Sequence, residues 1–80
     1  MFRLRNITNV GNEWVAELYD CNYRTTTQII IQRGGGNCGW VAINRTNRTD
    51  MWEIISVGNG KESIEDWQDE DIVQLGASIQ

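Results

Sequence analysis

Five stretches of this chain read as strands, and only short turns join each to the next. Consecutive strands joined in this way form antiparallel meanders. Phe2 and Leu4 alternate with Arg3 and Arg5, and Trp14, Ala16 and Leu18 alternate with Val15, Glu17 and Tyr19. That is the period of a half-buried strand. Thr25–Arg33 is β-branched almost throughout and reads as a third strand. Trp40–Arg45 and Met51–Val57 read as the fourth and fifth. The consecutive isoleucines 29, 30 and 31 call for burial on both faces, in a central strand or at a subunit contact.

The connections support this order. Val10–Glu13 is a turn by composition, and Asn44–Asp50 is a polar turn that repeats an Asn-Arg-Thr triplet. Asn59-Gly60 is a strong turn signal. After it, Ser63 is placed as a helix N-cap, with Glu65 and Asp66 in the first turn where the helix dipole favours acids. The pattern predicts a short helix over Ile64–Glu70 with Ile64 and Trp67 on one face. Ile72, Val73 and Leu75 then form a last strand or extend the helix. The expected fold is α+β and mostly β. It is a small curled antiparallel sheet or partly open barrel of five to six strands, with one short C-terminal helix. Residues 1–80 make one domain.

The glycines at 34–36 follow a hydrophobic strand, as in a phosphate-binding loop. Such a loop needs a helix after it to supply amides and a dipole. Here Trp40, Val41, Ala42 and Ile43 follow, which read as a strand, and no Gly-Lys-Ser/Thr or Rossmann spacing is present. A flexible hairpin loop is the better reading. A weaker alternative remains. Arg33, Gly35, Asn37, Trp40, Arg45 and Arg48 would form a small anion or nucleotide site if one end of the sheet gathers them. The arginines would otherwise be divided between its ends.

Histidine is absent, which removes imidazole bases, His metal ligands and Ser-His or Cys-His nucleophile systems. Cys21 and Cys38 lie too far apart along the expected hairpin to bridge, and both read as free thiols. Asp66, Asp69 and Asp71 lack the glycine and terminal glutamate of a calcium loop. No metal and no cofactor is expected. Glu17, Tyr19, Tyr23 and Arg24 are conceivable catalytic groups, but nothing in their spacing selects them, so a non-enzyme is expected. No apolar run after Met1 can serve as a signal peptide or membrane span, which points to the cytoplasm and away from a membrane.

Charge divides the chain. Residues 1–49 hold six arginines against three acids, a balance of +3, while residues 50–80 hold Lys61 against eight acids, a balance of −7. The net charge is −4. Sign asymmetry between halves points to a charged partner, or to mutual neutralisation inside the fold. The acids gather as Glu62, Glu65, Asp66, Asp69, Glu70 and Asp71. Carboxylates spaced along such a segment present charge roughly as a phosphate backbone does. In size, acidity and lack of a catalytic motif, the chain is similar to small phage-encoded inhibitors, including anti-CRISPR proteins and other DNA mimics. That likeness implies a non-enzymatic inhibitor that engages a basic, nucleic-acid-binding host protein. The other readings are a protein that sequesters a nucleotide or related anion, and an oligomeric structural protein. A homodimer is compatible with all three, because a core of this size often supplies no more than roughly 3 to 5 kcal/mol alone.

Overall fold

Strands β1 (Phe2–Val10), β2 (Glu13–Asp20), β3 (Thr25–Arg33), β4 (Trp40–Asn44), β5 (Met51–Val57) and β6 (Ile72–Ile79) follow one another around a closed antiparallel barrel. The computed structural model describes residues 1–35 and 39–79, and these strands are counted among them. Each strand pairs with its neighbour in sequence, as a meander requires. β1 meets β6 through only two register pairs, Phe2 with Val73 and Arg3 with Ile72. The expected curled sheet or open barrel is therefore a closed barrel with a narrow seam.

The expected C-terminal helix is not there. Ile64–Asp66 forms one 3₁₀ turn, and Trp67 is already extended at φ −75° and ψ 139°. Ser63 makes no cap hydrogen bond; its hydroxyl donates to the Glu65 carboxylate instead. The error has a physical origin. In a 3₁₀ turn, residues i and i+3 eclipse one another, so Ile64 and Trp67 share a face there as they would in an α-helix. Both are buried, at 3% and 5% exposure, and they pin the segment to the barrel. Ile72, Val73 and Leu75 lie in β6, which resolves the strand-or-helix alternative in favour of the strand.

Turn chemistry fixes the first hairpin. Gly11 and Asn12 both take positive φ, 57° and 68°, between the paired residues Val10 and Glu13. Two-residue turns of that kind match the right-handed twist of the flanking strands. β1 also bulges between Arg5 and Thr8, where Asn6 takes φ 53°.

Alternation places Ile29 and Ile31 in the barrel interior with Leu4, Leu18 and Val57. Ile30 points the other way and packs with Val41 and Ile43. The three isoleucines are 0%, 0% and 2% exposed, so both faces of β3 are covered within one chain. Truncating Ile29 to alanine would cost about 2–5 kcal/mol. Cys21 is a free thiol, half-buried where β2 ends, while Cys38 lies outside the described residues. Among the described residues, no helix is long and apolar enough to cross a membrane.

Candidate functional site

The buried Ile64 and Trp67 leave the residues around them no course except along the surface. Glu62, Glu65, Asp66 and Asp69 are exposed there. None of the four forms an ion pair among the described residues. The Ser63 hydroxyl bonded to Glu65 holds that carboxyl below the usual range, with its own backbone amide and the more distant Arg33 adding smaller pulls. Glu65 therefore keeps its negative charge into mildly acidic solution.

The other two acids of the cluster are turned to structural work. Glu70 accepts from Arg5 Nε at 2.7 Å, and Arg3 Nε lies 3.9 Å from its second oxygen. Asp71 accepts from Lys61 Nζ at 2.9 Å and from the Gln68 amide at 2.8 Å. Burial pushes the Asp71 carboxyl up, and those two hydrogen bonds outweigh it, so that it lies below the ordinary aspartate value. The basic and acidic parts of the chain thus meet in part, through Arg3 and Arg5, while Lys61 pairs with Asp71 inside the acidic part. Among the described residues, Arg24, Arg45 and Arg48 make no ion pair.

Beside the acidic edge lies an open cleft of about 410 Å³, lined by Arg33, Trp40, Ser56, Lys61, Glu62 and Trp67 among others. Trp40 and Trp67 meet edge to face with ring centroids 5.5 Å apart. Trp40 Nε1 donates to the Glu62 carbonyl at 2.9 Å, which ties β4 to the acidic segment. The Arg33 guanidinium lies over the Trp40 ring, 4.4 Å from its centroid.

Arg33 and Trp40 are register partners at the glycine connection between β3 and β4. Arg45 and Arg48 are not near them in the strand order. They sit on the β4–β5 connection, beyond the opposite end of β4. There Asn44 Oδ1 accepts from the Thr46 amide and hydroxyl, and Asn47 Oδ1 accepts from those of Thr49, so the repeated triplet builds two successive side-chain turns. The arginines of the ligand reading are therefore divided between the two ends of β4. Gly35 is exposed, and Asn37 lies outside the described residues.

The remaining candidates take separate roles. Glu17 accepts from Gln28 Nε2 and Asn6 Nδ2, which lower its pKa in that order. Tyr19 lies beneath the Arg5 guanidinium, 4.1 Å from ring centroid to carbon. Tyr23 and Arg24 are exposed on the β2–β3 turn. Among the described residues, no three His, Cys, Asp or Glu side chains are placed to hold one metal ion.

Sequence reasoning missed the role of Trp40. Its hydrogen bond to the acidic segment spans 22 positions, and no local pattern announces it. No family model, curated protein or solved structure matches the chain.

Proposed function

We propose that this protein is a non-enzymatic binding module of the inhibitor type, whose acidic edge engages a basic surface on a partner protein. One observation carries the reading: Glu62, Glu65, Asp66 and Asp69 are exposed and without ion pairs among the described residues, on a segment anchored by two buried apolar side chains. A backbone already held in place spends less ordering entropy on binding, and a row of carboxylates attracts a basic partner at long range. A nucleic-acid-binding protein presents the surface chemistry that such a row fits, in the manner of a DNA mimic. Glu70 and Asp71 support the edge and do not belong to the contact.

The test compares the wild-type chain with a variant carrying Glu62→Gln, Glu65→Gln, Asp66→Asn and Asp69→Asn. Each is used to capture partners from a nuclease-treated bacterial lysate, and the retained mass is read by native mass spectrometry. The expected result is a protein-sized mass retained by the wild type, released by high salt and missing from the variant. A partner that survives the four substitutions at low salt would overturn the reading.

A second reading is favoured by the cleft beside Arg33 and Trp40, whose volume lies in the range of small-ligand sites. In that case the protein sequesters a nucleotide or related anion. A ligand at a hundredfold excess over its dissociation constant would add about 2.7 kcal/mol of stability. A nucleotide panel that leaves the melting temperature unchanged would remove this reading.

A further inference from the structure

The charged residues that line the cleft beside the acidic edge are Arg33, Lys61 and Glu62. Lys61 is committed, since its Nζ lies 2.9 Å from Asp71 Oδ2 and both partners are largely covered. Arg33 has no ion pair among the described residues, and its stacking on Trp40 holds the guanidinium at the cleft wall. Among the described residues, the cleft therefore offers a ligand a single uncommitted cation.

The other cations are held elsewhere. Arg3 and Arg5 are bound to Glu70. Arg24 precedes β3 whereas Arg33 ends it, and Arg45 and Arg48 lie beyond the opposite end of β4. Glu62 is exposed at the cleft and has no ion pair among the described residues. A second negative charge on a ligand would meet this carboxylate with no cation to offset it. Repulsion of that kind is how a site rejects the wrong ligand.

Much of the remaining wall is apolar. Ile54, Ile55 and Val57 of β5 line it together with Trp67. Ile55 is 55% exposed, so an uncharged ligand body seated here would cover apolar surface that the fold leaves open to water.

We propose that this cleft takes a small anion with a single negative charge, held by Arg33, on an uncharged and partly apolar body. Among nucleotides this means a phosphodiester, because a terminal phosphate carries about two charges at neutral pH. A monocarboxylate offers the same chemistry. The inference rests on the second reading above, in which the cleft holds a small anion, and it adds the charge that the site accepts.

The test is isothermal titration calorimetry, without magnesium, of cyclic AMP, phenylacetate, AMP and ATP into the wild type, Arg33→Gln and Glu62→Gln. The singly charged probes are expected to bind, and AMP and ATP to bind at least about tenfold more weakly. A response to cyclic AMP only would mark the anion as a phosphodiester, and one to phenylacetate only as a carboxylate; either supports the proposal. Arg33→Gln is expected to weaken the singly charged probes by about tenfold or more. Glu62→Gln is expected to narrow the gap to AMP. AMP or ATP binding as tightly as the singly charged probes would overturn the proposal and leave the cleft as an anion site. Binding that a folded Arg33→Gln does not weaken would overturn it too. If circular dichroism shows that Arg33→Gln does not fold, Glu62→Gln decides, and an unchanged gap counts against the proposal. Silence from all four probes would overturn both the proposal and the reading beneath it.

Discussion

Arg5 Nε donates to Glu70 Oε1 at 2.7 Å across 65 positions of sequence, and this contact is part of a clasp that closes the barrel. The Glu70 amide donates to the Leu4 carbonyl at 2.7 Å, and Leu4 N donates to the Asp71 carbonyl at 3.0 Å. Arg3 Nη1 donates to the Glu70 carbonyl at 3.0 Å. Together these bonds reinforce a seam that the strand ladder makes with only two residue pairs. Glu70 takes φ 72° in the process. A side chain with a Cβ pays roughly 1–2 kcal/mol in that region.

Substitutions at Glu70 separate the charge from the backbone strain. Glu70→Gln keeps the shape and the backbone contacts, and it is expected to lower the melting temperature by a few degrees at low salt. The difference should shrink at high salt, because the pair is half-exposed and screened. Glu70→Ala loses the side-chain contacts and keeps the strain, whereas Glu70→Gly loses the contacts and relieves it. Glycine is therefore expected to melt above alanine by roughly 4–8 °C, the equivalent of about 1 kcal/mol. Alanine melting at or above glycine would show that the clasp does not strain Glu70.

Gly58 presents a sharper case. It takes φ 36°, and a Cβ there would lie 2.9 Å from both Cγ and Oδ1 of Asp71. Asp71 has little room to retreat, since it is held by Lys61 and by the Gln68 amide. Gly60 has φ 82° with open space around it. Gly60→Ala is expected to cost about 1 kcal/mol from conformation alone, and Gly58→Ala about 2–3 kcal/mol because the Asp71 contacts must also shift. Chemical denaturation of the two variants makes the comparison. Equal losses would mean that Asp71 yields freely.

The strands were legible because their signals are local. Thr25–Arg33 and Met51–Val57 occupy the stretches that β-branching and alternation mark out, and Gly11-Asn12 supplies a turn that needs two positive φ values. The helix was misread because the pattern was also local but degenerate, as Ile64 and Trp67 are three apart in either kind of turn. Closure of the barrel was not legible at all. It rests on residues such as Arg5 and Glu70, whose pairing is set by the path of the whole chain. Glu70 and Asp71 looked like their neighbours in a run of acids, and only the fold separates the Glu70 clasp and the Lys61–Asp71 pair from the unpaired acids of the edge. The Arg45 and Arg48 loop was read correctly as a turn, but its distance from Arg33 depends on the direction of β4.

Acid stability should report on Asp71. Its carboxyl lies below its ordinary value in the folded chain, so the unfolded state binds protons more readily. The stabilisation is complete above about pH 4, the unfolded aspartate value, and is lost as pH falls through the lower folded value. Glu17 and Glu65 shift in the same direction. The expected outcome is a stability that falls with pH below about 4, and less steeply in Asp71→Asn than in the wild type. Denaturant midpoints measured across that window would show it. Parallel curves for the two proteins would assign the acid loss to other carboxylates.

Trp67 sets a hydrogen-bonding deficit inside the barrel. It is 5% exposed, and its Nε1 is buried with no partner among the described residues. An unsatisfied buried donor costs about 1–3 kcal/mol. Replacing the whole side chain by alanine loses an apolar anchor of both the core and the acidic segment, for about 3–5 kcal/mol. Trp67→Phe removes the donor as well as part of the ring system, and these two effects oppose each other. Its expected net loss is under about 2 kcal/mol, far smaller than for alanine. Trp40→Phe gives the contrast, because it deletes a hydrogen bond that is made, to the Glu62 carbonyl at 2.9 Å. Equilibrium unfolding of the three variants tests the argument. A Trp67→Phe protein as unstable as Trp67→Ala would mean that the indole nitrogen is satisfied by bound water, and that the deficit does not exist in solution.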